Sequence, residues 1–250
     1  MARPTPIFET ALARTQEELR AALALRYRVF VEELGAADHG AGLEQDRFDV
    51  HAKHLLLYDR ARPEGDQVVG VYRLMDEAAA RAAGQFYSED EYDLGPLRDT
   101  GLSLLELGRS CVRPEYRDGQ ALFHLWRGLA AYVLDHGIEV LFGVASFHGT
   151  DTEGLAQPLS LLHHRHLAPS HLRVQSRRHE PMDRLPPDRI DRIAAMQQIP
   201  ALIKAYLRLG GVVGEGAFVD HDFNTTDVCL IVETAALNDR QRALYAGGAA

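Results

Sequence analysis

An α/β fold, a mixed central sheet flanked by helices, is predicted by three observations. Segments of helical periodicity alternate with short apolar segments of strand character. One strand–helix–strand crossover runs from Leu102 to Phe147. The only candidate break, Pro181 to Asp188 with prolines at 181, 186 and 187, lies between short segments of alternating type, so it reads as a connection inside one domain. The expectation is therefore a single domain over 1–250, with flexible ends at about 1–6 and 236–250. A chain of 250 residues that is 46% hydrophobic and 25% charged has the composition of a soluble globular protein, not of a collagen-like or disordered chain. Its only two cysteines, Cys111 and Cys229, lie far apart in apolar runs, which points to a reducing, cytoplasmic setting.

The elements follow in order. Thr15 and Glu18 have the form of a capping box; behind them Leu19, Leu23, Tyr27, Phe30 and Leu34 recur at spacings of three and four, an amphipathic helix ended by Gly35. A polar loop, Ala36 to Val50, comes next. Lys53–Asp59 and Gln67–Met75 read as strands of a hairpin joined by a Pro-Glu-Gly turn. Asp76 caps a short Ala-rich helix. Leu102–Val112 reads as a strand and Arg117–His136 as a long helix with the stripe Ala121, Leu125, Leu129, Val133, stopped by Gly137. Val140–Phe147 is a fully apolar strand. Ile199–Leu209 is a helix with Pro200 in its first turn, and Gly211–Val219 and Asp227–Glu233 close the chain as strands.

The formal net charge of -9 argues against nucleic acid as a general partner. The cations are arginines apart from Lys53 and Lys204, and they are unevenly spread: His163 to His179 holds Arg165, Arg173, Arg177, Arg178 and five histidines without a carboxylate. That segment is the expected meeting point with an acidic partner or a phospholipid surface. The N-terminus lacks an apolar signal core, so secretion is not expected. No stretch approaches the roughly 18–20 apolar residues needed to span a bilayer.

The central crossover is the most informative stretch. After the strand, a turn holding Val112, Arg113, Arg117 and Gly119 leads into a helix at Gln120 and Ala121. Free backbone N–H groups and the positive end of the helix dipole then point at one spot, a geometry that binds phosphate; a plain strand-to-helix turn is the alternative. Strand alternation makes Glu106 and Arg109 diverge unless a bulge at Gly108 brings them to one side. A charged pair inside an apolar strand implies either a site or an internal ion pair.

These residues resemble the GNAT acyltransferase fold, in which such a loop holds the pyrophosphate of coenzyme A or the phosphate of a carrier protein's phosphopantetheine. Arg26 and Phe30 with Glu44-x-Asp46-x-x-Asp49, Arg73 in Gly70-x-x-Arg73-Leu and Glu106-x-x-Arg109 resemble the motif set of acyl-homoserine-lactone synthases, which carry a Trp where Ala36 stands. The stretches Gly108-Arg-Ser-Cys-Val112, Leu141-Phe-Gly-Val-Ala-Ser-Phe-His-Gly-Thr-Asp151, Tyr206-Leu-Arg-Leu-Gly210 and Asp220-His-Asp-Phe-Asn-Thr-Thr-Asp227 resemble instead the ornithine N-acyltransferases of ornithine-lipid synthesis. The phosphate loop departs from the usual Arg/Gln-x-x-Gly-x-Gly/Ala, with Tyr116 in first place. Fewer contacts suit a phosphopantetheine, which carries one phosphodiester and no adenosine.

The resemblance implies transfer of a 3-hydroxyacyl group from acyl carrier protein to the α-amine of L-ornithine, with the carrier's phosphopantetheine thioester as co-substrate, no tightly bound cofactor and no metal; the alternatives are an autoinducer synthase of acyl-homoserine-lactone type using S-adenosylmethionine and a non-catalytic, membrane-associated acyl-carrier-binding protein. An α-amine must lose a proton before it attacks, and Glu106 is the expected acceptor, directly or through water. Backbone N–H groups near Gly108 to Ser110 would stabilise the oxyanion beside Arg109. Arg26 suits the ornithine carboxylate through bidentate hydrogen bonds, with Arg109 or Arg73 as alternatives. Glu44, Asp46 and Asp49 suit its ammonium or orient those arginines; Phe30, His148 and Asp151 are expected to line the substrate. Val112, Arg113, Arg117, Gly119, Gln120 and Ala121 would hold the phosphopantetheine, and Arg165, Arg173, Arg177 and Arg178 would dock the carrier. The acidic carrier and any contact with the inner face of the membrane both fall to that basic segment. Three other constellations are weaker: Cys111 as nucleophile with His148 as base, since a buried strand Cys is usually an apolar filler; a metal on His163, His164, His166 and Asp151, since adjacent histidines on a helix point apart; and one on Asp46, Asp49 and His51, which meet no template spacing.

Overall fold

The computed structural model describes residues 5–38 and 40–236. Residues 1–4, 39 and 237–250 lie outside it, and with them most of the two ends expected to be flexible. Along the chain run β1 (Phe8–Leu12), α1 (Gln16–Arg26), β2 (Lys53–Asp59), β3 (Val68–Asp76), α2 (Glu77–Ala83), β4 (Tyr92–Asp93), α3 (Gly95–Asp99), β5 (Leu104–Val112) and α4 (Gln120–His136). There follow β6 (Val140–His148), α5 (Ala156–His166), β7 (Gln175–Ser176), α6 (Arg192–Gln198), α7 (Ala201–Arg208), β8 (Val212–Val213), β9 (Phe218–Asp220) and β10 (Thr225–Glu233). The chain divides into two compact units, residues 5–83 with 107–137 and residues 84–106 with 138–236. It passes from the second to the first within β5, between Glu106 and Leu107.

In the first unit the strands follow the order β1-β2-β3-β5, and β1-β2 and β2-β3 are antiparallel. Alternation along β2 and β3 gives each side of the sheet its own helix. Leu56, Tyr58 and Val71 pack with Ala22, Leu25 and Val29 of the α1 rod, and Cys111 of β5 completes that cluster. On the other side α4 covers Leu57 and Gly70, where a Cβ on Gly70 would come within 2.9 Å of Leu125 Cδ1. Gly128 of α4 lies so close to β1 that a Cβ there would meet Thr10 Oγ1 at 2.8 Å and Cβ at 2.9 Å.

In the second unit Leu104–Glu106 of β5 pair in parallel with Val140–Phe142 of β6. β6 is antiparallel to β10 from Val140↔Glu233 to His148↔Thr225, and β8 and β9 each pair with β10. Parallel and antiparallel pairs thus coexist, the mixed sheet that the alternation of elements implied. β10 is buried from Thr226 to Val232, the unbroken burial of a strand covered on both faces.

The capping box at Thr15 and Glu18 is present, as are the hairpin of β2 and β3, the Asp76 cap, whose Oδ1 accepts the Ala79 N–H at 2.8 Å, and the buried stripe of α4 ended by Gly137 at φ +60. Three expectations are corrected. The first helix continues beyond Arg26 as a π-helical stretch, Tyr27–Glu33; after this wider winding Leu34 lies outward (39% exposed), while Val29 within it is buried. The helix expected from Arg117 starts at Gln120, because Gly119 at φ +95 breaks it from the 3-10 turn Pro114–Tyr116. The strand expected over Gly211–Val219 is two short pieces: Gly216 has φ +78, and Gly214 lies where a Cβ would approach Val174 Cγ2 to 2.6 Å.

Candidate active site

Six of the residues singled out in the sequence form one buried network in the first unit. The loop after α1 is tied back on that helix, Glu44 N–H donating to the Leu23 carbonyl at 3.1 Å, so its three acids face three arginines. Arg26 donates from Nε to Glu44 at 2.5 Å and from both Nη to Asp49 at 2.6 and 3.1 Å. Arg73 Nη1 donates to both oxygens of Asp46 at 2.7 and 2.6 Å and to Asp49 at 3.3 Å. Arg109 donates from Nε to Glu44 at 3.0 Å and from Nη2 to Asp46 at 3.1 Å. Each carboxylate therefore bridges two arginines, and three positive charges balance three negative ones, the condition under which buried charges persist. Burial would raise the Asp49 carboxyl, but Arg26 and Arg73 outweigh it and hold it at about 2. His54, beneath the network, donates from Nε2 to the Asp49 carbonyl at 3.2 Å; burial, with Arg26 and Arg73, lowers its pKa and keeps it neutral.

This arrangement changes the expectation for Arg26. Its side chain is 0% exposed and all three of its nitrogens are engaged, so it has no surface to present to a substrate carboxylate. Glu44 and Asp49 hold it in place, in line with the second of the two roles weighed for those acids, orienting the arginines. Asp46 (21% exposed side chain) is the most open member of the network, followed by Glu44 and Arg109 (9% each). Phe30 is half-buried against the α1 core cluster. Phe48, not singled out in the sequence, lies under the Arg73 guanidinium at 5.7 Å.

Arg109 itself has φ +51, a left-handed conformation that costs a non-glycine residue about 1–2 kcal/mol. It is the irregularity anticipated next to Gly108, and Gly108, Arg109 and Ser110 are the less buried middle of β5. Glu106, one residue before the crossing between units, is 3% exposed. Its Oε2 accepts the Tyr87 N–H at 2.8 Å and its Oε1 the Ser88 N–H at 2.6 Å. These two hydrogen bonds lie in the second unit, and those of Arg109 to Glu44 and Asp46 in the first.

The loop before α4 also meets carboxylates. Arg113 is buried, donating from Nε to the Val68 carbonyl at 3.0 Å and from Nη2 to Asp66 at 2.5 Å. Arg117 donates from both Nη to Glu33 at 2.5 and 2.8 Å, and this bond lowers the Glu33 pKa. Asp118 Oδ1 accepts the Gln120 N–H at 3.0 Å, at the start of α4. Tyr116, the departure from the usual loop, turns inward and donates to Asp59 at 2.6 Å. Val112 is half-buried and Ala121 fully buried.

The remaining candidates lie in the second unit. His148 is exposed at the end of β6 opposite Thr225, and Asp151 accepts the Gly154 N–H in a tight turn. Arg165, Arg177 and Arg178 are exposed; Arg177 donates to the Glu89 carbonyl and half-buried Arg173 to that of Ala168. Burial pushes the Cys111 thiol up to about 12, the behaviour of an apolar filler and not of a nucleophile. His164, on α5, donates to the Leu185 carbonyl. The sequence reading overlooked a cluster of Glu91, Asp220 and Asp227, whose carboxylate oxygens lie within 4.8 Å of one another. Asp220 and Asp227 fall in a quoted motif, but nothing in the spacing linked them to Glu91.

Residues 25–127 match the family described as acetyltransferase (GNAT) domain. Over 95% of its length the chain is 54% identical to the L-ornithine N(alpha)-acyltransferase of Rhodobacter capsulatus, covering 94% of that protein. It is 44% identical to the protein of the same name from Brucella abortus, over 95% of this chain and 88% of that one. Among solved structures, FeeM, an N-acyl amino acid synthase from uncultured soil microbes, aligns with a TM-score of 0.56 at 13% identity over 92% of this chain and 93% of that one. The acyl-homoserine-lactone synthase LasI aligns with 0.52 at 16% identity over 98% of each chain; at such identities the likeness concerns the fold. A GNAT fold with sequence identity of this extent along almost the whole chain has one meaning: the protein belongs to the L-ornithine N(alpha)-acyltransferase family.

Proposed function

We propose that this protein transfers a 3-hydroxyacyl group from the phosphopantetheine thioester of acyl carrier protein to the α-amino group of L-ornithine, giving the lyso form of ornithine lipid. The observation that carries this reading is the 54% identity over 95% of the chain to a relative named L-ornithine N(alpha)-acyltransferase. The ornithine nitrogen attacks the thioester carbon, the C–N bond forms, the C–S bond breaks, and the thiol leaves with a proton. An ornithine α-ammonium must first give up a proton. Glu106 is the proposed acceptor through a water molecule, a buried carboxylate held in place by the Tyr87 and Ser88 amides. Backbone N–H groups around Gly108 to Ser110 are the proposed oxyanion donors, where φ +51 at Arg109 breaks the strand. Arg109 is the proposed partner of the ornithine carboxylate, because Arg26 is sealed off and Arg73 nearly so.

The donor arm is assigned to residues 112–121, with Arg117 and the first turn of α4 toward the phosphodiester, and His148 and Asp151 to the lining. Arg165, Arg173, Arg177 and Arg178 are the proposed docking arginines for the acidic carrier, at the cytoplasmic face of the membrane. Among the described residues no helix is long and apolar enough to cross a membrane.

The test is the regiochemistry of the product. Tandem mass spectrometry of the amide formed from 3-hydroxyacyl-carrier protein and ornithine should show an acylated α-nitrogen and a free δ-amine; a δ-amide would overturn the assignment. Glu106→Gln, with its fold checked by circular dichroism, should lower kcat about 100-fold or more, the usual worth of a general base. An unchanged kcat would remove Glu106 from that role.

A further inference from the structure

The donor loop of an acyltransferase is expected to be electropositive, and here it is not. Arg117 is chelated by Glu33, and Arg113 is held by Asp66, which also binds Arg62. The first amide of α4, where an anion would otherwise sit, donates to Asp118. Glu115 lies 3.8 Å from Arg62. Three arginines thus meet four carboxylates, and the surroundings carry one net negative charge.

From this we propose that Glu33 and Asp118 select the acyl donor, admitting the single phosphodiester of carrier-bound phosphopantetheine and turning away the several phosphates of coenzyme A. The proposal rests on the donor reading above and gives it a residue-level cause. The Arg117–Glu33 pair is open to solvent, with side chains 42% and 35% exposed. Such pairs contribute little stability, so one phosphodiester can replace Glu33 on Arg117 in a near-even exchange. Asp118 likewise yields one amide. The displaced carboxylates stay tethered nearby, because Asp118 directly precedes Gly119 and Glu33 ends the π-helical stretch. A ligand with one negative charge meets them once. Coenzyme A, with a pyrophosphate and a 3′-phosphate carrying about four charges, meets them repeatedly. At about 4 Å in water each added like-charge contact weakens binding about five-fold.

The test is titration calorimetry at low salt with coenzyme A and with the methyl ester of 4′-phosphopantetheine, which carries one phosphodiester, alongside turnover on the two acyl donors. The proteins are wild type, Glu33→Gln, Asp118→Asn, the double variant and Glu17→Gln. Glu17 lies at the far end of the same helical rod, roughly 20 Å from Glu33 and beyond screening range. The double variant should bind coenzyme A about 25-fold more tightly and the methyl ester no more than about five-fold. The ratio of kcat/KM for carrier protein to that for acyl-coenzyme A should fall by about five-fold or more, with Glu17→Gln unchanged. An unaltered coenzyme A Kd, equal gains for both ligands, or the same gain in Glu17→Gln would overturn the proposal. Absence of turnover on either donor would instead count against the functional reading, while the two Kd series would still decide the role of Glu33 and Asp118.

Discussion

Asp49 lies between two guanidinium groups, at 2.6 Å from Arg26 and 3.3 Å from Arg73, and is 3% exposed. Asp49→Asn would leave two buried arginines short of a counter-charge, and the expected loss is about 3–5 kcal/mol of unfolding free energy. The pH dependence has a definite sign. The folded carboxyl titrates at about 2, below its ordinary 3.8; its contribution is present above pH about 4 and is lost as the pH falls through about 2. Urea denaturation from pH 5 down to pH 2.5 should therefore show a loss in wild type of about 1–2 kcal/mol that Asp49→Asn lacks. Arg109 allows a second comparison at this scale. With φ +51, Arg109→Gly should melt a few degrees above Arg109→Ala, because glycine adopts this conformation without the Cβ penalty. Both should lose most of the acyl transfer. Equal melting temperatures would mean that the backbone relaxes once the side chain is gone.

At the scale of elements, Gly128 marks the closest approach of α4 to β1. Alanine is the better helix former by up to about 1 kcal/mol, yet its Cβ would lie 2.9 Å from Thr10 Cβ, and the expected net effect is a destabilisation of about 1–2 kcal/mol by thermal unfolding. The helices α1, α4 and α7 and the long strands were legible in the sequence because local signals act alone there: the Thr15–Glu18 box, the four-residue stripe of α4 and the apolar run of β10; α3, α5 and α6 were not anticipated. β1 was missed, since Phe8-Glu-Thr-Ala-Leu12 becomes a strand only by pairing with β2. The strand expected over Gly211–Val219 was overread, since tertiary contacts at Gly214 and the positive φ of Gly216 divide it. Within the candidate site, the resemblance to acyl-homoserine-lactone synthases pointed to all six members of the arginine–carboxylate network, but not to their mutual saturation. That depends on the loop 44–49 folding back against α1, a long-range event with no local signature. The same holds for Glu106, whose two amide partners, Tyr87 and Ser88, come from a turn 18 and 19 residues earlier.

For the molecule as a whole, the net charge of -9 sets a problem for an acidic carrier, and the exposed arginines of the second unit are the proposed answer. Reversing Arg165, Arg177 and Arg178 to Glu should raise the KM for acyl-carrier protein about ten-fold or more, with kcat little changed and a weaker dependence on salt. An unchanged KM would move the docking surface elsewhere. The central claim, that the acceptor is ornithine, is tested most directly by thiol release from 3-hydroxyacyl-carrier protein with ornithine, lysine, glycine and S-adenosylmethionine supplied separately to the purified protein. Release that depends on ornithine and exceeds the others by at least about ten-fold is the predicted result. Release with S-adenosylmethionine alone, or none with any acceptor, would contradict it.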